Sequence, residues 1–478
     1  MISLSKLSTT SKNSEKNSKK NEREIAIRVL KEITHSSAYN NIALRKELDK
    51  LPDWEPYQKN FVTELVNGTL RNLILIDHIL QISLHKTKLK KLHPFILTLL
   101  RAGVYQIRWM DKVPDYAIVK ESVKIARDHK FDYLSGFVNA VLRNVSRDFE
   151  SNKNLLSDSA DKANYLSIKY SFPLWLAKKL IEWLGDSAEE FCMQSHLTPA
   201  VTICLNPIKT TRESLIGLLT AEGINCTEST RTDSCLFLHK TSNLASSRAF
   251  QQGLFHIMDE GAYLATQAIQ ARPGQFIIDL CAAPGGKSFA LAGIMQNQGK
   301  VISIDIHDHK IQLIKNMAER LGFTCISPEM ADASIQNSNW SEKADAVLLD
   351  APCSGFGIIR KKPDIKYNKT IKDVKKMATI QRSLLSAAAS YVKPGGILVY
   401  CTCTITPQEN DDNINWFLEN FPFKKENTTQ ILPSSNNDGF YIAKMTRVTK
   451  IANTVNETNN MEITNSVEIA EITEMAES

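Results

Sequence analysis

Between residues 22 and 149 the apolar side chains recur three or four positions apart, as in Ile25, Val29 and Ile33, in Phe61, Leu65 and Leu70, and in Ile96, Leu99, Leu100, Val104 and Ile107. That spacing lines one stripe of a helix and predicts an all-helical domain. Residues 160–250 mix two periods: Trp175 and Trp183 bound a helical stretch, Val201 to Leu205 form a short apolar run of strand type, and a helix is expected after Arg212. Together they predict a small α+β linker domain. From Ala262 to Lys444 short β-branched runs alternate with helical stretches, the pattern of a doubly wound α/β sheet, and this sets a third domain at residues 251–446. Residues 1–21 read as a disordered basic arm and residues 447–478 as a disordered acidic tail, because their few apolar side chains cannot offset the entropy of ordering.

Composition adds limits. Hydrophobic residues make up 43% and charged residues 23% of the 478, ordinary values for a soluble globular protein, and no stretch approaches the roughly 20 apolar residues of a membrane span. The net charge of +6 permits a polyanionic partner without establishing one. The helical domain concentrates cations at its polar positions, among them Arg71, Lys86, Lys88, Lys90, Lys91, Arg101, Arg108, Lys120, Lys124, Arg127 and Arg143. Singly each reads as part of a solvated helix face; as a cluster they suit a nucleic acid. Nine cysteines, none before Cys192, do not form the framework of a small secreted domain, and reduced thiols in a cytoplasm are expected.

The candidate chemistry begins where the apolar run ending at Leu280 meets Cys281, Ala282, Ala283, Pro284, Gly285, Gly286 and Lys287. A small-residue turn between strand and helix lets a ligand approach the backbone and the free N–H groups of the helix start. An ATP-binding loop matches only at Gly286-Lys287-Ser288, its first glycine falling at Cys281 so that the phosphate cradle is incomplete, and no G-x-G-x-x-G fingerprint is present. An adenosine site fits better. Asp305 ends the next strand about twenty residues on, the distance at which a carboxylate accepts hydrogen bonds from ribose. Asp332 follows a third strand, where it can accept from an adenine amino group, and Asp350 ends a fourth. Any one of these acids could be a helix cap; three at neighbouring strand ends point to a methyl donor.

Two cysteine motifs complete the set: Cys353, in Asp350-Ala-Pro-Cys-Ser-Gly355, and Cys403, in Tyr400-Cys-Thr-Cys-Thr404. Cytosine C5 is a poor nucleophile until something adds at C6, and a thiolate suits that addition. A second group must then help remove the C5 proton and release the adduct. Asp350, sharing a proton with ring N3, would stabilise the developing charge, while Lys287 and a helix start near residues 407–410 are candidates for lowering a thiol pKa. Zinc is disfavoured because no histidine or C-x-x-C pattern lies nearby. Alternation along the strand puts Cys401 and Cys403 on one face, so it does not choose between them.

The motifs Asp279-Leu-Cys-Ala-Ala-Pro-Gly-Gly-Lys287, Asp350-Ala-Pro-Cys-Ser-Gly355 and Thr402-Cys-Thr404 resemble those of the Nol/Nop/Sun family of RNA cytosine-5 methyltransferases. Asn67-Gly-Thr-Leu-Arg71 and Phe137-Val-Asn-Ala-Val-Leu-Arg143 resemble the NusB-like domain of its bacterial branch. The resemblance implies a Rossmann-like, S-adenosylmethionine-dependent catalytic domain preceded by an all-α NusB-like RNA-binding domain and the small α+β linker. It implies Cys403 as nucleophile, Cys353 as the group assisting release, and 281–287, Asp305, Asp332 and Asp350 as the cofactor site. It further implies a cytosine of 16S ribosomal RNA, or of a small-subunit assembly intermediate, as substrate, and a cytoplasmic monomer that needs neither metal nor membrane. Three positions depart from the family pattern: Cys204 stands for an arginine two residues before Asn206, Met258 for a glutamine before Asp259, and Lys362 for a histidine before Pro363. These departures touch RNA contacts, not methyl chemistry.

Overall fold

A computed structural model describes residues 21–36, 38–84, 87–147, 161–239 and 244–448. The expected arm therefore lies outside the described residues up to residue 20, and the expected tail from residue 449 onward. Among the described residues no helix is long and apolar enough to cross a membrane.

The amino-terminal domain is helical as its periodicity predicts, with helices Glu22–Ser36, Asn40–Leu48, Pro56–Arg71, Leu73–Ser83, Pro94–Trp109, Asp115–Asp128 and Ser135–Arg147. Ile25, Val29 and Ile33, Leu65 and Leu70, and Ile96, Leu99, Leu100 and Val104 all enter one core. Gly68 is what lets two of the helices touch: a Cβ there would fall 1.9 Å from Cζ of Tyr105. Two of the expected surface cations are engaged within the protein. Arg101 forms a paired ion contact with Asp77 at 2.7 Å on both oxygens, and Arg71 is buried with its guanidinium 3.4 Å from the Arg360 carbonyl.

The linker holds an antiparallel sheet of four strands, β1 (Val201–Leu205), β2 (Asn225–Glu228), β3 (Cys235–His239) and β4 (Phe255–Ile257), in the order β2-β3-β1-β4. Helix Arg212–Ala221 covers it through Leu215 and Leu219. β4 comes from beyond residue 250, so the small sheet reaches into the stretch that the sequence assigned to the catalytic domain. Helices Lys162–Lys169, Leu174–Leu184 and Ala188–Gln194 share a core with Phe356, Ile359, Ile365 and Ile405 instead. Asn206 is buried and donates to the carbonyls of Gly253 at 2.9 Å and Leu321 at 2.8 Å, tying the linker to the next domain.

That domain is built on seven strands: β5 (Phe276–Leu280), β6 (Lys300–Asp305), β7 (Ile326–Met330), β8 (Ala344–Asp350), β9 (Val392–Thr402), β10 (Phe423–Ile431) and β11 (Phe440–Arg447). Their order is β10-β11-β9-β8-β5-β6-β7, with β11 antiparallel to both its neighbours and the rest parallel. Alternation sends Ile277 into the core on one face and Ile278 into the core on the other. The chain leaves β5 toward β7 and later leaves β8 toward the opposite edge, so the topological switch lies between β5 and β8, where open α/β sheets bind ligands.

Residues 356–369 bind the domains together. Asp364 Oδ2 accepts from the Asn40 N–H at 3.2 Å, Tyr367 OH donates to the Leu70 carbonyl at 2.9 Å, and the Lys366 ammonium donates to the carbonyls of Arg71 at 2.9 Å and Tyr170 at 3.3 Å. Lys366 is fully buried, and burial pushes its pKa well below the ordinary lysine value.

Candidate methyl-transfer site

The carboxyl ends of β5 to β9 open into a cavity of about 450 Å³, within the range of small-molecule sites. Cys281, Ala283, Pro284, Asp305, Asp332, Asp350, Cys353 and Cys403 line it, so eight of the residues expected from the sequence converge. Ala282, Gly285, Gly286 and Lys287 do not line it; they shape the turn. Ala282 N–H donates to the Ile304 carbonyl at 2.8 Å, holding the turn against β6. Gly285 has φ +104°, and a Cβ there would meet the Phe289 ring at 2.5 Å, which is why glycine is required. Gly286 opens helix Gly286–Ile294. Beneath the turn, the buried Asp279 accepts from Ser288 Oγ at 2.6 Å, and burial raises its carboxyl pKa to about 7 against the opposing pull of that hydrogen bond.

Asp305 is fixed by backbone. Its Oδ2 accepts from Ala283 N–H and its Oδ1 from His307 N–H, both at 3.2 Å. Asp332 Oδ1 accepts from the N–H of Ser334 at 2.9 Å and from its hydroxyl at 2.7 Å. Both keep further acceptor capacity, and with the small Ala283 between strand ends they fit an adenosine-bearing cofactor. Sequence reasoning missed Ile306, Lys310, Leu313, Ala333, Ile358, Ile380 and Leu384, which also line the cavity, as does Lys362, marked in the sequence as a departure from the family pattern. Ile380 and Leu384 stand one turn apart on helix Ile371–Tyr391, a spacing that reads as ordinary core. Ile306 alone carried a positional signal, as the residue after the strand-end acid.

The two thiols expected to act together are together: Cys353 Sγ lies 3.3 Å from Cys403 Sγ. The hydrogen bond with Cys403 first, and burial second, push the Cys353 thiol well above its ordinary pKa. Cys403 is half-buried and follows the last residue of β9. Cys401 lies within β9, fully buried, with its Sγ 3.5 Å from Asp350 Oδ1 and outside the cavity lining. Burial and then Asp350 raise its pKa well above the ordinary value. The alternative that strand alternation leaves open is thus divided by where the strand stops. Lys287 pairs with Asp350; burial opposes its charge, but Asp350 and Cys401 outweigh burial and raise its pKa above the ordinary value. The helix expected to start at residues 407–410 begins instead at Asp411.

Within those four residues Glu409 holds the loops. Glu409 is fully buried and accepts from Ser354 N–H at 2.8 Å, Ser354 Oγ at 2.5 Å, Thr406 Oγ1 at 2.7 Å and Gln381 Nε2 at 3.0 Å. Burial raises its pKa, partly offset by those donors. Ser354 Oγ also meets Thr404 Oγ1 at 2.8 Å, and Gly357 N–H donates to the Cys403 carbonyl at 2.9 Å. Glu409→Ala is expected to cost roughly 1–3 kcal/mol for each buried donor it strands. Glu409→Gln should lose less, since the Ser354 and Thr406 hydroxyls can turn to accept. Urea denaturation of the two variants checks this order.

Comparison with known proteins agrees with this geometry. The chain matches the 16S rRNA methyltransferase RsmB/F family over residues 266–446, the NusB family over 20–147 and the RsmF/B-like ferredoxin-like domain over 172–245. It is 36% identical over 444 residues to the probable ribosomal RNA small subunit methyltransferase B of Bacillus subtilis (strain 168), spanning 88% of this chain and 98% of that one. It is 32% identical over 403 residues to ribosomal RNA small subunit methyltransferase B of Vibrio cholerae, spanning 82% and 90%. The crystal structure of PH0851 superposes with a TM-score of 0.72 at 26% identity, over 89% of this chain and 99% of that one. NSun6 from Pyrococcus horikoshii, solved with SFG, shares the fold with a TM-score of 0.53 at 21% identity, over 59% and 99%. With its strand-end acids, its paired thiols and likeness along almost the whole length of these relatives, the chain belongs to the 16S rRNA methyltransferase RsmB/F family, whose methyl donor is S-adenosylmethionine.

Proposed function

We propose that this protein methylates C5 of a cytosine in 16S ribosomal RNA through a covalent bond between Cys403 and C6 of the base. The observation that carries the reading is the pair of thiols 3.3 Å apart on the wall that also presents Asp305, Asp332 and Asp350. S-adenosylmethionine supplies an electrophilic methyl group. The protein's task is to make C5 able to take it. The Cys403 thiolate adds to C6, and electron density moves to C5; the Cys353 thiol, pushed well above its ordinary pKa by its hydrogen bond with Cys403 and by burial, stays protonated beside it. Asp350, held by Lys287, lies beside the ring and shares a proton with N3, which steadies the charge on the adduct. After transfer the C5 proton leaves to a base or a water beside Cys353, the C6–S bond breaks and Cys403 departs as thiolate.

A base inside a duplex hides C6, so the substrate presents an unpaired or flipped-out cytosine. Incubating the purified protein with undermethylated small-subunit RNA and S-adenosylmethionine should protect one cytosine from bisulfite conversion. Methyl incorporation without bisulfite protection would rule out C5 of cytosine, and no incorporation would leave the chain a binding or assembly factor.

A further inference from the structure

Ile358 and Lys362 both line the cavity and stand one helical turn apart, the Lys362 N–H donating to the Ile358 carbonyl at 3.0 Å. This turn is fixed against the candidate nucleophile. Besides the hydrogen bond from Gly357 to the Cys403 carbonyl, a Cβ on Gly357 would fall 2.7 Å from that same oxygen and 2.2 Å from the Gly439 carbonyl. Two residues beyond Lys362, Asp364 is held by the helical domain through Asn40. The half-buried Lys362 is therefore set relative to Cys403 from both sides.

Three acids, Asp305, Asp332 and Asp350, and two lysines, Lys310 and Lys362, are among the residues that line the cavity. Lys310 rises from helix Asp308–Leu321 just after Asp305; burial lowers its pKa, against the opposing pull of that carboxylate. It belongs to the cofactor end. Lys362 comes from the thiol end, in the turn that follows Cys353. A methyl donor is cationic at sulfur and is served by the carboxylates. A cytidine within an RNA chain brings the opposite charge: its base can enter toward Cys403 while its phosphates stay near the mouth, where three carboxylates would repel them.

We propose that Lys362 binds a backbone phosphate of the target nucleotide, an assignment that rests on the reading of this cavity as an RNA cytosine site. The histidine usual at this place in the family titrates near pH 6.5, so a histidine put here would lose its charge across neutral pH.

RNA binding can be followed by fluorescence anisotropy with a labelled single-stranded oligonucleotide containing the modified cytosine, in a salt series, for the wild type, Lys362→Met, Lys362→Arg and Lys362→His. Lys362→Met is expected to weaken RNA binding about tenfold or more, as the loss of a hydrogen bond to a charged group does, and to flatten the salt dependence by about 0.7 in log K against log salt, one phosphate's share for a single strand. Lys362→Arg should restore both. Lys362→His should bind more weakly as pH rises from 6 to 8, with affinity for S-adenosylmethionine unchanged throughout. RNA affinity and salt slope unchanged in Lys362→Met, or an equal loss of cofactor affinity, would overturn the proposal. A wild type that binds the RNA without methylating cytosine would refute the proposed reaction, and the salt slope would still decide the Lys362 contact.

Discussion

Cys403→Ala is expected to remove methyl transfer almost completely, by about 10⁶-fold, the scale on which loss of an enzymic nucleophile is felt, while RNA and S-adenosylmethionine still bind. The loss is so large because without addition at C6 no other group on the cavity wall can activate C5. Cys401 cannot take over: it is fully buried within β9, faces Asp350 and does not reach the cavity. Cys353 does line the cavity, but its thiol is pushed well above its ordinary pKa, first by its bond to Cys403 and then by burial. Removing Cys403 deletes the first of these causes, and burial still holds the thiol protonated. Single-turnover transfer of a labelled methyl group to the RNA measures the effect; activity within a hundredfold of wild type would take the nucleophile's role from Cys403.

The choice between Cys401 and Cys403 also marks where sequence reading runs out. Strand alternation gives the two thiols one face, and nothing in the period of two says that β9 ends at Thr402 and frees the next residue from it. The α/β alternation, the turn at Cys281 and the strand-end acids were legible because each depends on a few adjacent residues. The helical domain was legible for the same reason, its stripe through Val29, Leu65 and Leu100 being local. Contacts between distant segments were not. Arg71 read as a solvated cation, yet it is buried where the helical domain meets residues 356–369. Asn206, which the sequence marked only by its spacing from Cys204, is spent on two carbonyls of other segments. Ile380 and Leu384 were invisible for a different reason, since a cavity wall and a core give the same helical spacing.

Cys353→Ala is expected to leave C6 addition and methyl transfer working but to stall the enzyme on its RNA. The two steps make different demands. Addition needs only a thiolate at Cys403, and alanine in place of Cys353 removes little volume. Release needs the C5 proton taken and the C6–S bond broken, and the sulfur leaving C6 is the one that sits 3.3 Å from Cys353 Sγ. In the wild type the Cys353 thiol can donate to that sulfur as charge returns to it. Losing an acid–base group of this kind costs about 10²–10⁴-fold in the step it assists, so the methylated adduct should outlive denaturation. Mixing Cys353→Ala with RNA and S-adenosylmethionine should then give a band above the 53.7 kDa protein on a denaturing gel, removed by ribonuclease and absent from the Cys353→Ala, Cys403→Ala double variant. Turnover at the wild-type rate with no such band would show that release proceeds without Cys353. A band that persists in the double variant would place the covalent bond on another residue.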